Sequence, residues 1–198
     1  METIHFPKFT GLRCLMMPYI QGDPLSVPKE FHRYADIVRT VFFRKGDLGY
    51  LTIDESVAIE GKPHRGARAR FDRALHTEAG WRDSAYLWGP VWGSSPCVTL
   101  DRSVEVILAN NLDESCAIWD VVHENTTPDG DIGHVADQYP YSSATLMRVG
   151  EIRKIGILTP HESLPVKRTI ERQFLRIVSS GVHGREPYFT ENPILPNA

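Results

Sequence analysis

Residues 169–180 read TIERQFLRIVSS, a short run in which β-branched and aromatic side chains are interleaved with polar ones. This alternation has a period of two residues, so every second side chain lies on the same face. Such a pattern is typical of a half-buried β-strand. Comparable runs recur at residues 49–59, 67–77, 103–111, 116–124 and 144–158. Turn-rich segments that contain glycine and proline, such as residues 60–66 and 125–131, separate these runs. Several short strands at regular spacing predict a mainly β fold, as a sandwich or barrel.

The rest of the chain supplies one helical window and two covering segments. In residues 28–42, PKEFHRYADIVRTVF, the apolar positions follow the i, i+3, i+4, i+7 spacing of a helix. Residues 1–27 carry three prolines and no sustained periodicity, so we expect an arm over the surface, with residues 181–198 as a covering tail. We find neither βαβ alternation nor an internal repeat, which disfavours a Rossmann-type fold. The whole chain is predicted to be a single domain whose β core spans about residues 47–180.

Composition narrows the classes of partner. The chain has 198 residues, of which 41% are hydrophobic, with 22 basic and 25 acidic side chains and a formal net charge of −3. The basic surface of a nucleic-acid or anionic-membrane binder is therefore not expected, and a small molecule becomes the predicted partner. No run approaches the ~18 apolar residues of a membrane span. Three widely spaced cysteines and a poor signal-peptide pattern predict a cytoplasmic protein, and no pattern fixes the oligomeric state.

The candidate chemistry lies among the histidines. The sequence contains neither the GxSxG motif of a serine hydrolase nor the phosphate loop of an NTPase. His76-Thr77-Glu78 places an imidazole and a carboxylate two residues apart, so in an extended strand both side chains reach the same ion. Further along, His161 lies within TPHESLP, and Arg172 follows it eleven positions later.

This combination of H-x-[DE], a distant histidine and an arginine eleven positions beyond it resembles the Fe(II)/2-oxoglutarate-dependent dioxygenases. The resemblance is closest to small members of that superfamily with the string TPHESLP followed by RQFxR, here residues 159–165 and 172–176. It implies a double-stranded β-helix of the jelly-roll or cupin type, with one or a few flanking helices. It also implies hydroxylation of a small molecule with O₂ and 2-oxoglutarate as cosubstrates, and succinate and CO₂ as coproducts.

The resemblance assigns Fe(II) to His76, Glu78 and His161, and the far carboxylate of 2-oxoglutarate to Arg172. Two imidazoles and one carboxylate on one face of an octahedral metal leave positions for a 2-oxo acid and O₂. An arginine presents the planar fork that a carboxylate pairs with in bidentate fashion.

The carboxylate of the family motif is usually an aspartate that is followed directly by glycine. Here the sequence is Glu78-Ala79-Gly80, so Asp72 is kept as an alternative ligand. Asp72 shares the face of His76 in a strand but lies roughly 13 Å from it by the strand rise, which favours Glu78.

Further candidates follow from position in the sequence. Arg176 shares a strand face with Arg172 and is expected either at the same carboxylate or in a supporting pair. Asn110 ends a predicted strand and suits either the cosubstrate carboxylate or a turn. Trp88 and Trp92 belong to an aromatic cluster that forms either a substrate-pocket wall or core. His134, in a glycine-containing loop, is expected either near substrate or on the surface.

Two other functions remain open at this point. A cupin-like isomerase or lyase would use the same barrel with a different metal or none, and would not need Arg172. A non-enzymatic jelly-roll binding module would leave the histidines and Glu78 on the surface and use the aromatic cluster as its binding site.

Overall fold

The fold is mainly β, as predicted. A computed structural model describes residues 3–64, 73–78, 104–125, 127, 130–179 and 189–196. In chain order the strands of these residues are β1 (Arg13–Ile20), β2 (Leu48–Ala58), β3 (Glu105–Asn110), β4 (Cys116–Ile118), β5 (Thr145–Leu146), β6 (Arg153–Gly156), β7 (His161–Ser163) and β8 (Ile170–Val178). Within the described ranges, no helix has the length and apolar character that a membrane crossing requires.

The strands form two antiparallel sheets. The larger sheet has the order β1-β2-β8-β3-β6, and the smaller sheet has the order β5-β4-β7. The register of β8 is fixed on both sides, because Arg176 lies opposite Thr52 of β2 and opposite Leu108 of β3. Strand β8 therefore lies in the interior of the larger sheet, where alternate side chains face two different environments.

Alternation along the strands builds two apolar cores on opposite faces of the larger sheet. Leu175 and Ile177 of β8 pack into a core with the helical segment and with Leu51 of β2. Val178 of β8 and Ile118 of β4 belong to a second core, which lies between the two sheets. The candidate site lies in this inter-sheet layer.

The helical window is shorter than the expected helix over residues 28–42. A 3₁₀ segment, Lys29–Tyr34, leads into α1 (Ala35–Thr40), and Val41 has returned to extended backbone. Phe31, Tyr34 and Ile37 are all buried. Their spacing of three matches the 3.0 residues per turn of a 3₁₀-helix as well as it matches one side of an α-helix, so the pattern did not distinguish the two.

Part of the expected N-terminal arm is a strand. Strand β1 pairs with β2 as the edge of the larger sheet, with Met17 and Tyr19 fully buried. Its register shifts between Cys14 and Met17, and Met16 has a φ of 48°. This β-bulge interrupts the period of two, which explains why the sequence showed no strand pattern there. Residues 189–196 lie against β1, where the Thr190 backbone N–H donates to the Leu15 carbonyl at 2.7 Å.

Other predicted runs are divided in the structure. The run over residues 144–158 contains β5 and β6, separated by a turn in which Gly150 has a φ of 69°. The run over residues 116–124 keeps strand geometry only through Ile118. Of the run over residues 67–77, only residues 73–77 are described.

Candidate metal centre

The backbone brings His76 and His161 side by side. His161 begins β7, and the segment that contains His76 continues the smaller sheet beyond that strand. The His76 N–H donates to the His161 carbonyl at 3.0 Å, and the His161 N–H donates back to the His76 carbonyl at 2.9 Å. The two ring centroids are 4.1 Å apart. Two residues that are distant in sequence are thereby held as direct neighbours across one antiparallel bridge.

Hydrogen bonds to carbonyls fix the tautomer of both imidazoles. His76 Nδ1 lies 2.7 Å from the Ala74 carbonyl oxygen, and His161 Nδ1 lies 3.0 Å from the Thr159 carbonyl oxygen. A carbonyl only accepts, so each Nδ1 carries a proton, and in the neutral imidazole Nε2 keeps its lone pair. This arrangement is the one in which histidine binds a metal.

Glu78 completes the cluster. Its Oε1 lies 3.3 Å from His161 Nε2, and its Oε2 accepts a hydrogen bond from Arg176 Nη1 at 3.3 Å. Ligands bound at ~2.1 Å and at right angles to one another are ~3 Å apart, close to the observed Glu78–His161 separation. One ligand atom from each of His76, Glu78 and His161 lies within 4.8 Å of the other two. Arg176 thus contacts the carboxylate of the cluster and fixes which oxygen faces the histidines.

The cluster borders a cavity of about 210 Å³ between the two sheets. The larger sheet contributes Asp54, Arg172 and Phe174 to its wall, and the smaller sheet contributes Cys116 and Ser163. Burial raises the pKa of the Cys116 thiol to about 12, so this cysteine stays protonated and unreactive at neutral pH. A larger, open groove of about 760 Å³ lies elsewhere, around Leu112 and Val166, and contains none of the three candidate ligands.

Arg172 brings a buried positive charge to the same cavity. Its side chain is 4% exposed, and its guanidinium carbon lies 4.7 Å from the centroid of the Phe174 ring. Burial lowers the pKa of Arg172 to about 10, against the opposing effect of the nearby Asp54 carboxylate, so the guanidinium is still charged at neutral pH. Its buried Nη1 has no hydrogen-bond partner among the described residues. A buried cation with an unsatisfied donor is suited to an anionic ligand.

An ion pair between Arg73 and Glu162 lies beside the candidate ligands. Arg73 donates from Nε and Nη2 to Oε2 of Glu162, at 2.9 and 2.7 Å. Its Nη1 donates to the carbonyls of Ala136 and Tyr139, both at 2.9 Å. Because Glu162 follows His161 directly, this pair fastens the segment of His76 and Glu78 to β7.

The sequence did not reveal these supporting contacts. Arg73 and Glu162 are 89 positions apart, and nothing in either local pattern links them. Asp54 and His64, which meet at the cavity, carry a weak signal, since Asp54 is one of two charged residues inside a predicted strand.

The other predicted site residues are placed differently. Asn110 is buried at the end of β3, where its Oδ1 accepts from the Leu112 N–H and the Ser115 hydroxyl. It therefore stabilises a turn and is not among the residues that line the cavity. His134 is exposed in the 3₁₀ segment Gly133–Gln138 and also lies outside the lining. Trp88, Trp92 and Asp72 lie outside the described residues.

No protein-family model, curated protein or solved structure matches the chain. The geometry of the cluster and the buried Arg172 therefore carry the functional interpretation.

Proposed function

We propose that the protein is a non-haem Fe(II)/2-oxoglutarate-dependent oxygenase that hydroxylates a small-molecule substrate, with succinate and CO₂ as coproducts. One observation carries the proposal. His76, Glu78 and His161 line a cavity that Arg172 also lines, and among the described residues Nη1 of this buried guanidinium has no hydrogen-bond partner. A metal ligand set and an anion-binding group in one small space are what binding of a metal-chelating dicarboxylate requires.

The donor set fits Fe(II). Two neutral imidazole nitrogens and one carboxylate oxygen form the ligand set of non-haem Fe(II) oxygenases, which leaves coordination positions open for ligands. A chain of 198 residues buries enough surface to fold without a structural metal, so an incomplete protein ligand set is better explained by catalysis. When bound, Fe(II) supplies the redox chemistry that couples O₂ to oxidation of the 2-oxo acid and of the substrate.

The protein's own groups would hold the metal and orient the cosubstrate. The carbonyls of Ala74 and Thr159 hold the imidazoles with Nε2 available for the metal. Arg176 holds Oε2 of Glu78, which leaves Oε1 for the metal. Arg172 would pair with the remote carboxylate of 2-oxoglutarate from the opposite sheet. The cavity holds only ~7 water volumes, a size suited to a small dicarboxylate.

The strand pairing supports a double-stranded β-helix as part of the proposal. In such a fold, eight strand segments form one long coiled hairpin. The first segment pairs with the eighth, the second with the seventh, the third with the sixth, and the fourth with the fifth. With the His76 segment counted between β2 and β3, the observed pairs are β2–β8, His76–β7, β3–β6 and β4–β5. These pairs alternate between the larger and the smaller sheet, as in a two-sheet jelly roll.

A cytoplasmic location also belongs to the proposal. Cys14 and Cys116 are buried free thiols in the described part of the chain, which suits a reducing compartment.

Anaerobic titration tests the proposed function. The purified protein is loaded with Fe(II) and titrated with 2-oxoglutarate while its visible spectrum is recorded. We expect the weak absorbance band of metal-to-cosubstrate charge transfer to develop and to saturate. A metal-dependent isomerase or lyase would bind the metal without this band, and a binding module would bind neither component.

The same titration decides which carboxylate is the ligand. Glu78→Ala is expected to lose Fe(II), and Asp72→Ala is expected to retain it. The reverse result would move the carboxylate ligand to position 72.

A further inference from the structure

Arg172 and Asp54 are neighbours that do not pair. Asp54 lies opposite Phe174 in the β2–β8 register, and Ser56 lies opposite Arg172, so Asp54 and Arg172 are diagonal neighbours on one face. Diagonal neighbours are within reach of each other when one side chain is long. The negative charge of Asp54 acts through space to raise the pKa of Arg172. Nevertheless, Nη1 of Arg172 has no hydrogen-bond partner among the described residues.

The absence of an ion pair between Asp54 and Arg172 is unfavourable for the protein without a ligand. A buried guanidinium with an unsatisfied N–H has lost its water without gaining a replacement. An ion pair with the Asp54 carboxylate would satisfy it, and both side chains line the same cavity. Something therefore holds the Asp54 carboxylate in another direction.

Two groups contact the Asp54 carboxylate. His64 Nε2 lies within hydrogen-bond distance of Oδ2, at 3.0 Å. Arg13 Nε lies 2.9 Å from Oδ1 as an ion pair, and Oδ1 has no hydrogen-bond partner among the described residues. Burial alone would raise the pKa of Asp54, but the hydrogen bond from His64 and the electrostatic effects of Arg13, His64 and Arg172 lower it. Asp54 is therefore ionised at neutral pH, and His64 Nε2–H is the donor. The Ser56 hydroxyl, 3.4 Å from the same nitrogen, limits the orientation of the ring.

We propose that His64, together with Arg13, keeps the Asp54 carboxylate turned away from Arg172, so that the guanidinium remains available to a carboxylate ligand in the cavity. In naming that ligand as 2-oxoglutarate, the inference rests on the proposed function. His64 is a positioning residue, because it acts through Asp54. Without His64, the Asp54 carboxylate pairs with Arg172, and the carboxylate of an incoming ligand has to compete with it.

The test compares three variants of the Fe(II)-loaded protein by anaerobic calorimetric titration with 2-oxoglutarate. His64→Ala is expected to raise the dissociation constant roughly tenfold to a hundredfold, the range of coupling between contacting groups. Asp54→Asn is expected to bind at least as tightly as the wild type. The double variant Asp54→Asn/His64→Ala is expected to return to within about threefold of Asp54→Asn.

Rescue by the second substitution is the readout that a general structural defect would not give. His32→Ala is the matched control, because His32 is exposed in the helical segment and its ring hydrogen-bonds to the Val27 carbonyl, away from the cavity. Wild-type affinity in His64→Ala would overturn the inference, and so would a double variant as weak as His64→Ala.

A crystal structure of His64→Ala separates this inference from the proposed function. We expect the Asp54 carboxylate to form an ion pair with the guanidinium of Arg172. An unchanged Asp54 conformation would overturn the inference, whatever the ligand. If the wild type does not bind 2-oxoglutarate, the proposed function fails, while the conformation of Asp54 in the variant still decides the role of His64.

Discussion

His76 and His161 exchange both backbone hydrogen bonds, at 3.0 and 2.9 Å, and their rings lie 4.1 Å apart. The main chain, through strand register, therefore sets the separation of the two imidazoles. A slip of one residue would turn one imidazole to the opposite face of the sheet. Glu78, two residues after His76, stays on the side of the cluster for the same reason.

His161→Ala is expected to abolish metal binding and 2-oxoglutarate turnover while the protein remains folded. The substitution removes one proposed ligand nitrogen, but the backbone bridge to His76 does not depend on the side chain. Bound metal is measured by elemental analysis of the dialysed protein, and folding by far-UV circular dichroism.

His123→Ala is the matched control, because His123 is also buried but bonds to Tyr139 and Asn125 away from the cluster. It is expected to retain the metal. Full metal content in His161→Ala would refute the ligand assignment.

Arg73→Gln is expected to destabilise the fold by about 2–4 kcal/mol and to weaken metal binding. It leaves the Glu162 carboxylate, which is 4% exposed in the pair, without its charged partner. It also removes the side-chain link between the segment of His76 and Glu78 and β7, where only the two backbone hydrogen bonds of His76 and His161 remain. The free energy of unfolding is measured with urea on the metal-free protein, and metal affinity is measured separately.

Arg73→Lys keeps the charge but cannot reproduce the donors to Glu162 and to two carbonyls. It is expected to recover only part of both losses. The double variant Arg73→Met/Glu162→Met removes both charges and should be more stable than Arg73→Gln. If metal affinity is unchanged in all three, this pair does not support the ligands.

Glu55 is expected to make the protein sensitive to acid. It is 2% exposed and accepts hydrogen bonds from the Thr10 and Leu12 N–H groups and from Tyr34 and Gln173. Burial raises the pKa of Glu55, but these donors outweigh it, so the pKa lies below the usual value of 4.5. Its contribution to stability is therefore complete above about pH 4.5 and is lost as the pH falls through the lower pKa of the folded state.

Glu55→Gln should therefore cost about 2–4 kcal/mol of unfolding free energy at neutral pH. The difference from the wild type should shrink as the pH falls below about 4.5. Urea unfolding at a series of pH values measures both quantities. The exposed Glu30→Gln is the control, and a Glu55→Gln difference that does not change with pH would contradict the assigned pKa shift.

The local sequence pattern predicted those features of the fold and of the site that depend only on local backbone geometry. The strands at β2, β3 and β8 were predicted because each lies in a short β-branched or alternating run. His76 with Glu78 was identified because residues two apart in a strand share one face. Strand β1 was missed because its bulge at Met16 breaks that alternation. Side-chain pairs such as Arg73–Glu162 depend on how distant strands align, and the sequence of neither partner encodes that alignment.

The role of Arg172 can be tested independently of the metal ligands. Arg172→Gln keeps His76, Glu78 and His161 but removes the proposed charge-assisted contact to the remote carboxylate of 2-oxoglutarate. Removing one partner of a buried charged pair costs on the order of 2–5 kcal/mol, a weakening of roughly thirtyfold to several thousandfold. Affinity for Fe(II) without 2-oxoglutarate should barely change, because no candidate ligand depends on Arg172.

Two further variants make the prediction for Arg172 specific. Arg172→Lys should recover part of the affinity through charge alone, since an ammonium lacks the planar fork. Arg176→Gln should weaken Fe(II) binding more than 2-oxoglutarate binding, because Arg176 contacts Glu78, and the exposed Arg148→Gln should change neither. The measurement is the dissociation constant for 2-oxoglutarate from anaerobic titration of each Fe(II)-loaded variant. Equal affinities for the wild type and Arg172→Gln would refute the role, and a larger loss of 2-oxoglutarate affinity in Arg176→Gln would transfer it to Arg176.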